Sequence, residues 1–383
     1  MGIQINGQTD IISASDGGFT LGGTVGVTSI TPTYLTVNGN AYASAGPLSN
    51  RNLIINGAMQ VAQRGTSSTS NEYASVDRFK VSISGGSITQ SQGSLTSGSP
   101  YDEGFRNFYR CTNSTTSTAA ADYKIITQFV EAQNMANSGW NYTSTSSYIT
   151  LSFWARASVG QDYTFYCRNA DGTSQNYSFT FTLAADTWTK VTHTIPGASG
   201  IQFDNNNGSG MQLTWAPWLG TNYTTSGHTD ETWATLDSSS ISKDMTTTWA
   251  STTDATFDIT GVQLEVGSVA TPFEHRSYGD ELARCQRYYV NTNWVFCTSI
   301  SGLNYRKINP GPGVTMRTSP THRYTHPSTN VVNKVYEHSS GTTYTINDTS
   351  NASSPGPQGS TYFGLSSTPS YDVLARIEYS AEL

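Results

Sequence analysis

The densest set of side chains able to move protons lies in GHTDET, which brings His228, Asp230 and Glu231 into one short stretch. Two carboxylates can divide glycoside cleavage between an acid and a base. Neighbours on a strand point to opposite faces, however, so the adjacency of Asp230 and Glu231 is no evidence of a working pair. A second set is aromatic: Trp215, Trp218, Tyr223, Trp233 and Trp249, spread among Ser, Thr, Asn and Gly. Tryptophan offers a flat apolar face to a sugar ring while its indole N–H and nearby Asn or Asp reach the hydroxyls, which makes these five candidate glycan contacts. The same rings would equally well fill a small core under long loops, or a subunit interface. A third set, Tyr305, Arg306, His322, Arg323, Tyr324 and His326, is polar and aromatic on expected loops. Tyr305, His322 and Tyr324 are its candidate glycan contacts, with an ordinary polar rim as the alternative.

No GxSxG, HExxH, Walker or strand-borne GxGxxG signature is present, so serine hydrolase, zincin and nucleotide-binding chemistry have no foothold and no catalytic residue is assigned. Cys111, Cys167, Cys285 and Cys297 lack CxxC spacing, which leaves no zinc ribbon or redox motif and favours reduced, partly buried thiols. The net charge of -7 and the lack of a Lys/Arg cluster argue against nucleic acid as a partner. No stretch approaches about 18 uninterrupted apolar residues, and MGIQINGQTD has neither part of a signal peptide, so membrane insertion and classical export are not expected.

The elements that must position these residues are strands. Only 12% of the 383 residues are charged, against about 25% in ordinary domains, and Ser, Thr, Asn and Gly make up the difference. Such residues compete with helical backbone bonds, while the 22 Tyr and 8 Trp suit pleated surfaces. The expected fold is all-β, in more than one unit. Residues 1–50 read as very short strands and a linker, whose apolar positions Ile3, Ile5, Ile11, Phe19, Leu21 and Leu35 are candidates for oligomerisation or docking. Residues 51–277 read as a β-sandwich, with strands at Asn52 to Ala58, Arg78 to Ser84, Tyr123 to Phe129, Ile149 to Arg156, Asp162 to Arg168, Tyr177 to Leu183, Trp188 to Ile195, Gly210 to Ala216 and Thr256 to Glu265. Long aromatic-bearing loops are expected between Asn205 and Thr253. A short helix capped by Asp280 follows within residues 278–290, carrying Leu282, Cys285 and Tyr289 at near-helical spacing. Residues 291–383 read as a smaller β domain ending on the strand Tyr371 to Tyr379.

Three stretches carry a resemblance. NLIINGAMQVAQRG with YASVDRFKV (Asn52 to Gly65, Tyr73 to Val81) looks like the opening of a jelly-roll module. DITGVQLEVGSVATPFEHRSYGDELARCQRYYV (Asp258 to Val290) resembles the stretch that closes it and leads by a helix into a C-terminal domain. MRTSPT (Met316 to Thr321) and RIEYSAEL (Arg376 to Leu383) resemble that terminal domain. The family is that of the tail-fibre and appendage proteins of tailed bacteriophages, of the marine type. The resemblance implies an exterior virion structural protein made in the host cytoplasm, a homotrimer that docks to phage tail or capsid proteins by its N-terminal segment and meets a host surface polysaccharide with its β domains. A capsid fibre or decoration protein without a receptor role, and a polysaccharide-degrading tailspike, are the alternatives. The jelly roll also resembles carbohydrate-binding modules, in which a structural calcium often sits where first and last strands meet; Asn56 and Asp258 are the positions for it here. No EF-hand-like run is present and no other cofactor is expected.

Overall fold

The computed structural model describes residues 50–299, 305–308, 313–326, 328–329, 331–337, 340–348, 362–365 and 373–383, together with the backbone of 35–37 and 40–42. It is 44% strand and 8% helix, the all-β outcome that the composition dictates. Along the chain, β1 (Leu35–Val37) and β2 (Asn40–Tyr42) form a small antiparallel pair. There follow β3 (Ser67–Ser68), β4 (Lys80–Ser84), β5 (Ser87–Ser94), α1 (Ser99–Asp102), β6 (Asn107–Thr115), β7 (Tyr123–Glu131) and α2 (Ala132–Ala136). Next come β8 (Tyr148–Ala157), β9 (Gln161–Asn169), β10 (Gln175–Leu183), β11 (Thr189–Pro196), β12 (Ser209–Leu219), β13 (Ala234–Thr235), α3 (Thr248–Ser251) and β14 (Thr256–Val266). Helix α4 (Tyr278–Gln286) then leads into β15 (Tyr289–Ser299), β16 (Tyr305–Ile308), β17 (Thr321–Thr325), β18 (Lys334–Glu337), β19 (Thr342–Asp348), β20 (Tyr362–Leu365) and β21 (Val373–Ser380).

Two six-stranded antiparallel sheets, β13-β10-β9-β12-β7-β4 and β11-β8-β14-β6-β5-β3, make the sandwich. Period-two alternation decides what lies between them: Leu151, Phe153 and Ala155 of β8 face Phe165, Phe179, Met211 and Leu213 of the other sheet in one continuous core. Trp215 sits inside that core, its ring 5.3 Å from Phe165, 5.7 Å from Phe153 and 6.2 Å from Phe79.

Two sequence expectations need correction. Asn52 to Ala58 is not a strand. Asn56 and Met59 take positive φ, and side-chain amides replace part of the ladder: Asn52 Oδ1 accepts from the N–H groups of Ile54 and Leu264, at 3.0 and 3.1 Å. Gly57 lies so close to β14 that a Cβ there would fall 2.1 Å from the Val262 carbonyl oxygen. Strands β5 and β6 add to the clearest strands of the sequence; SITQSQGS of β5 hardly alternates in polarity. Its Gln90 is buried yet satisfied, accepting from Ser75 Oγ and Tyr109 Oη at 3.0 Å each and donating to Ser70 O at 2.6 Å. The cap of α4 is Ser277 rather than Asp280: Ser277 Oγ accepts from the Asp280 N–H at 3.2 Å and donates to its carboxylate at 2.7 Å. The helix buries Glu281 and Cys285, while Leu282 is only partly covered.

The C-terminal unit closes on itself. Its strands run β15-β16-β20-β19-β18-β21, and β21 pairs back onto β15 to close a ring, with β17 added on β21. Val335, Ile346, Leu365, Val373, Ala375 and Ile377 fill its interior. Among the described residues no helix is long and apolar enough to cross a membrane.

Candidate functional site

Several of the residues singled out by chemistry are structural. Trp215, Trp218 and Trp249 are 0, 2 and 0% exposed and belong to the sandwich core, so no ligand reaches them. Trp249 donates its indole N–H to Thr256 O at 3.0 Å. Tyr223 and Trp233 are half-buried and already engaged. The Tyr223 ring meets Tyr123 edge-on, and Trp233 Nε1 donates to Pro196 O at 2.7 Å. The five aromatics are thus not one surface. Ile3, Ile5, Ile11, Phe19 and Leu21 lie outside the described residues, as do the side chains of Leu35 and Tyr305.

The GHTDET residues form a pin rather than a catalytic pair. His228 Nε2 lies 2.7 Å from Ser178 Oγ, which donates to Asp230 Oδ1 at 3.0 Å; Thr180 donates to the other Asp230 oxygen at 3.0 Å. Because the Ser178 proton is committed to Asp230, His228 must donate to the serine oxygen, the reverse of what a general base does. Its Nδ1 faces Ser240 at 3.3 Å instead of a carboxylate, and Ser178 is fully buried. Glu231 is exposed and its backbone N–H is tied to Ser178 O. The group fastens the 220–245 segment over the outer face of β9, β10 and β12, where Tyr166, Ala216, Leu219 and Ile241 pack together.

Neither calcium position offers oxygen to a cation. Asp258 is clamped from both sides: Arg110 on β6 reaches it at 2.7 and 2.9 Å, and Arg156 on β8 at 3.0 and 2.7 Å. The Asn56 amide bonds Val61 and Asp77 main chain. Among the described residues no cluster of three His, Cys, Asp or Glu could hold a metal.

The open site lies at the seam between sandwich and barrel. A pocket of about 310 Å³ is lined by Arg64, Glu72 and Tyr73 from the sandwich, with Tyr289, Thr321, His322, Arg323, Glu378 and Ser380 from the barrel. Its size is at the lower end for small-ligand sites, enough for a sugar ring or two rather than a long chain. The floor is buried: the Arg64 guanidinium stacks on the Tyr289 ring at 3.5 Å and lies 5.7 Å from Tyr73. The rim is wet and paired, Arg323 with Glu378 at 3.1 Å and Lys80 with Glu72 at 2.7 Å. His322 is half-buried, its ring 5.0 Å from Tyr379 and near-parallel to Tyr324 at 6.4 Å; burial lowers its pKa, which favours the uncharged imidazole. Of the third set, among the described side chains, His322 and Arg323 line this pocket, and Tyr324 is a buried support beneath them.

A network under the floor fixes the two units. Arg78, fully buried, pairs with Glu382 and stacks on Tyr288 at 3.5 Å, and Arg64 pairs with the other Glu382 oxygen at 3.1 Å. Gln63 Nε2 donates to Asp77 and to Tyr289 O, while Arg317 holds Ala381 O at 2.9 Å and Glu382 O at 3.1 Å. Glu131 accepts from Tyr288 Oη at 2.6 Å and from Arg287 at 3.0 Å.

No family model matches the chain, and no curated protein does. Solved structures do align with it. A family 11 carbohydrate-binding module from Clostridium thermocellum, in complex with a mixed-linked tetrasaccharide, matches 53% of this chain and 97% of its own at 9% identity and a TM-score of 0.26. The N-terminal cellulose-binding domain of Cellulomonas fimi β-1,4-glucanase C matches 55% of this chain and 99% of its own, at 9% identity and 0.28. A cyclase from Fischerella sp. matches 59% and 98%, at 8% identity and 0.31. Binding modules and an enzyme thus align alike, none of the three is a phage fibre, and at such TM-scores none carries an argument about ligand or residue roles.

What the seam pocket can do follows from its side chains. Arg323 donates, Glu72 and Glu378 accept, Thr321 and Ser380 do both, and Tyr73 and His322 present rings, a set suited to a ligand with many hydroxyls. Both carboxylates are held by cations, so neither is placed as a proton donor. A second, wider cleft of about 700 Å³ beside α4, bordered by Asn50, Arg276, Arg284 and Thr315, has no Trp, Tyr or Phe among the described residues of its lining.

Proposed function

We propose that this chain is a non-enzymatic subunit of a homotrimeric phage tail fibre, displayed outside the virion, and that it binds a host surface polysaccharide in the seam pocket. The observation that carries the binding part is the pocket itself: a concave, polar and aromatic site that exists only because two β units are locked together. The appendage part rests on the sequence resemblance alone, whose stretches come together in the fold. The resembling stretches are in mutual contact, with Asn56 N donating to Glu281 at 2.5 Å, Arg276 to Ile54 O at 2.9 Å, and Arg64 and Arg78 pairing with Glu382.

The test is binding of the purified chain to polysaccharide from the host envelope, alongside Tyr73→Ala and His322→Ala. Each substitution is expected to weaken binding at least about tenfold, since stacked rings and buried polar contacts dominate such sites. Unchanged affinity in both variants would overturn the seam as the site, and release of reducing ends would overturn the non-enzymatic reading. Light scattering should show a trimer for the full chain and a monomer for a chain starting at Arg51; a full-length monomer counts against the fibre.

A further inference from the structure

The seam pocket has an electrostatic property that its chemistry alone does not require. Among the described residues both cations that line it face carboxylates, Arg323 with Glu378 and Arg64 with Asp77 at 3.7 Å and with Glu382; next to them Lys80 pairs with Glu72 and Arg78 with Glu382. The cations Arg64, Arg78, Lys80 and Arg323 are matched by Glu72, Asp77, Glu378 and Glu382, and the chain as a whole carries -7. A carboxylate or sulfate on a ligand would lose its hydration here and find, among the described lining residues, no cation uncommitted to a protein carboxylate, whereas hydroxyls find donors and acceptors. The charge of Arg64, at the floor, is balanced from behind by Glu382 at 3.1 Å and more distantly by Asp77, neither of which is among the described residues that line the pocket.

Building on the saccharide reading of this site, we infer that the pocket selects neutral over anionic saccharides, and that Glu382 sets this selectivity from outside the pocket by neutralising Arg64. Glu382 is a specificity-determining residue that touches no ligand. Discrimination of this kind comes from what the site refuses as much as from what it holds.

The experiment uses the full chain and matched oligosaccharide pairs that differ only in charge: glucose and glucuronate, galactose and galacturonate, mannose and mannuronate oligomers, titrated calorimetrically. The expected result is that the neutral member of the bound pair is preferred at least about tenfold, and that Glu382→Gln shrinks this preference several-fold by removing the nearer of the two carboxylates that balance Arg64 and leaving it only Asp77, at 3.7 Å. Arg323→Gln, on the exposed rim, provides a second reading in the opposite direction. It frees the charge of Glu378 and should widen the preference, and it keeps the inference testable where Glu382→Gln lowers the folded fraction seen by circular dichroism. An anionic member bound as tightly as its neutral partner would overturn the inference while leaving saccharide binding intact. Preference unmoved by either substitution would remove the role of charge balance. Failure of every pair to bind would take away the saccharide reading, and this inference with it.

Discussion

Two carboxylates in this molecule are each gripped by two arginines, and they behave differently because of where the arginines can go. Asp258 stands on β14 directly opposite Arg110 on β6 and Arg156 on β8, so strand register alone brings the three together. The Asp258 side chain is 0% exposed, but its arginines keep 33 and 26% of theirs in water. Glu382 instead joins Arg64 and Arg78 across the seam, with sequence separations of 318 and 304, and the Arg78 side chain is 1% exposed. The first clamp trims one sheet face. The second fixes two units to each other. A buried guanidinium without a partner is costly, whereas one with a path to solvent rehydrates, so the same chemical grouping has different structural weight in the two places.

That contrast can be broken or sharpened by measurement. The largest effect is expected for Glu382→Ala, which strands Arg78 in the interior: about 3–5 kcal/mol of stability is lost. Calorimetry should also show the barrel and sandwich melting separately; a single transition with an unchanged midpoint would refute the clamp. Second is the pH response of Asp77, whose carboxyl burial lifts from 3.8 to about 6. The folded chain then binds this proton more tightly than the unfolded one, so the contribution is complete below about pH 3.8 and fades as pH rises through about 6. Over that window stability should decline by roughly 2–3 kcal/mol on account of this group, and Asp77→Asn should flatten the slope. A slope of the same size in the variant would assign it elsewhere. The smallest effect is expected for Asp258→Ala, about 1–2 kcal/mol in urea unfolding, because both arginines turn to water. A loss as large as that of Glu382→Ala would erase the distinction between the two clamps.

How much of this is legible in the sequence divides along the same line. The strand around LSFWARAS is plain because Leu151, Phe153 and Ala155 alternate with polar or outward residues and all three pack inward. The short helix is legible from its acidic first turn and its boundary position, though its capping residue is not, since Ser277 and Asp280 can each take that role. Strand β5 is hidden because its buried Gln90 carries hydrogen bonds where a pattern reader looks for an apolar side chain. The tryptophans mislead for a related reason: composition marks them as ligand-stacking material, and only the sheet pairing shows that Trp215 points into the core. The seam is illegible by periodicity, because its partners are hundreds of residues apart. The stretches that carried the family resemblance nevertheless supply Arg64, Tyr73, Asp77, Arg78, Arg317 and Glu382, the residues that build it.

The position of Glu382 also bears on how the molecule is made. Arg78 emerges early during synthesis and the last sandwich strand, β14, is complete at Val266, but the partner that neutralises Arg78 is added only after the barrel strands have been translated. At ordinary elongation rates the interval is on the order of ten seconds. Until then Arg64 and Arg78 lack the carboxylate of Glu382 that joins them to the barrel, so closing the seam has to await synthesis of that unit.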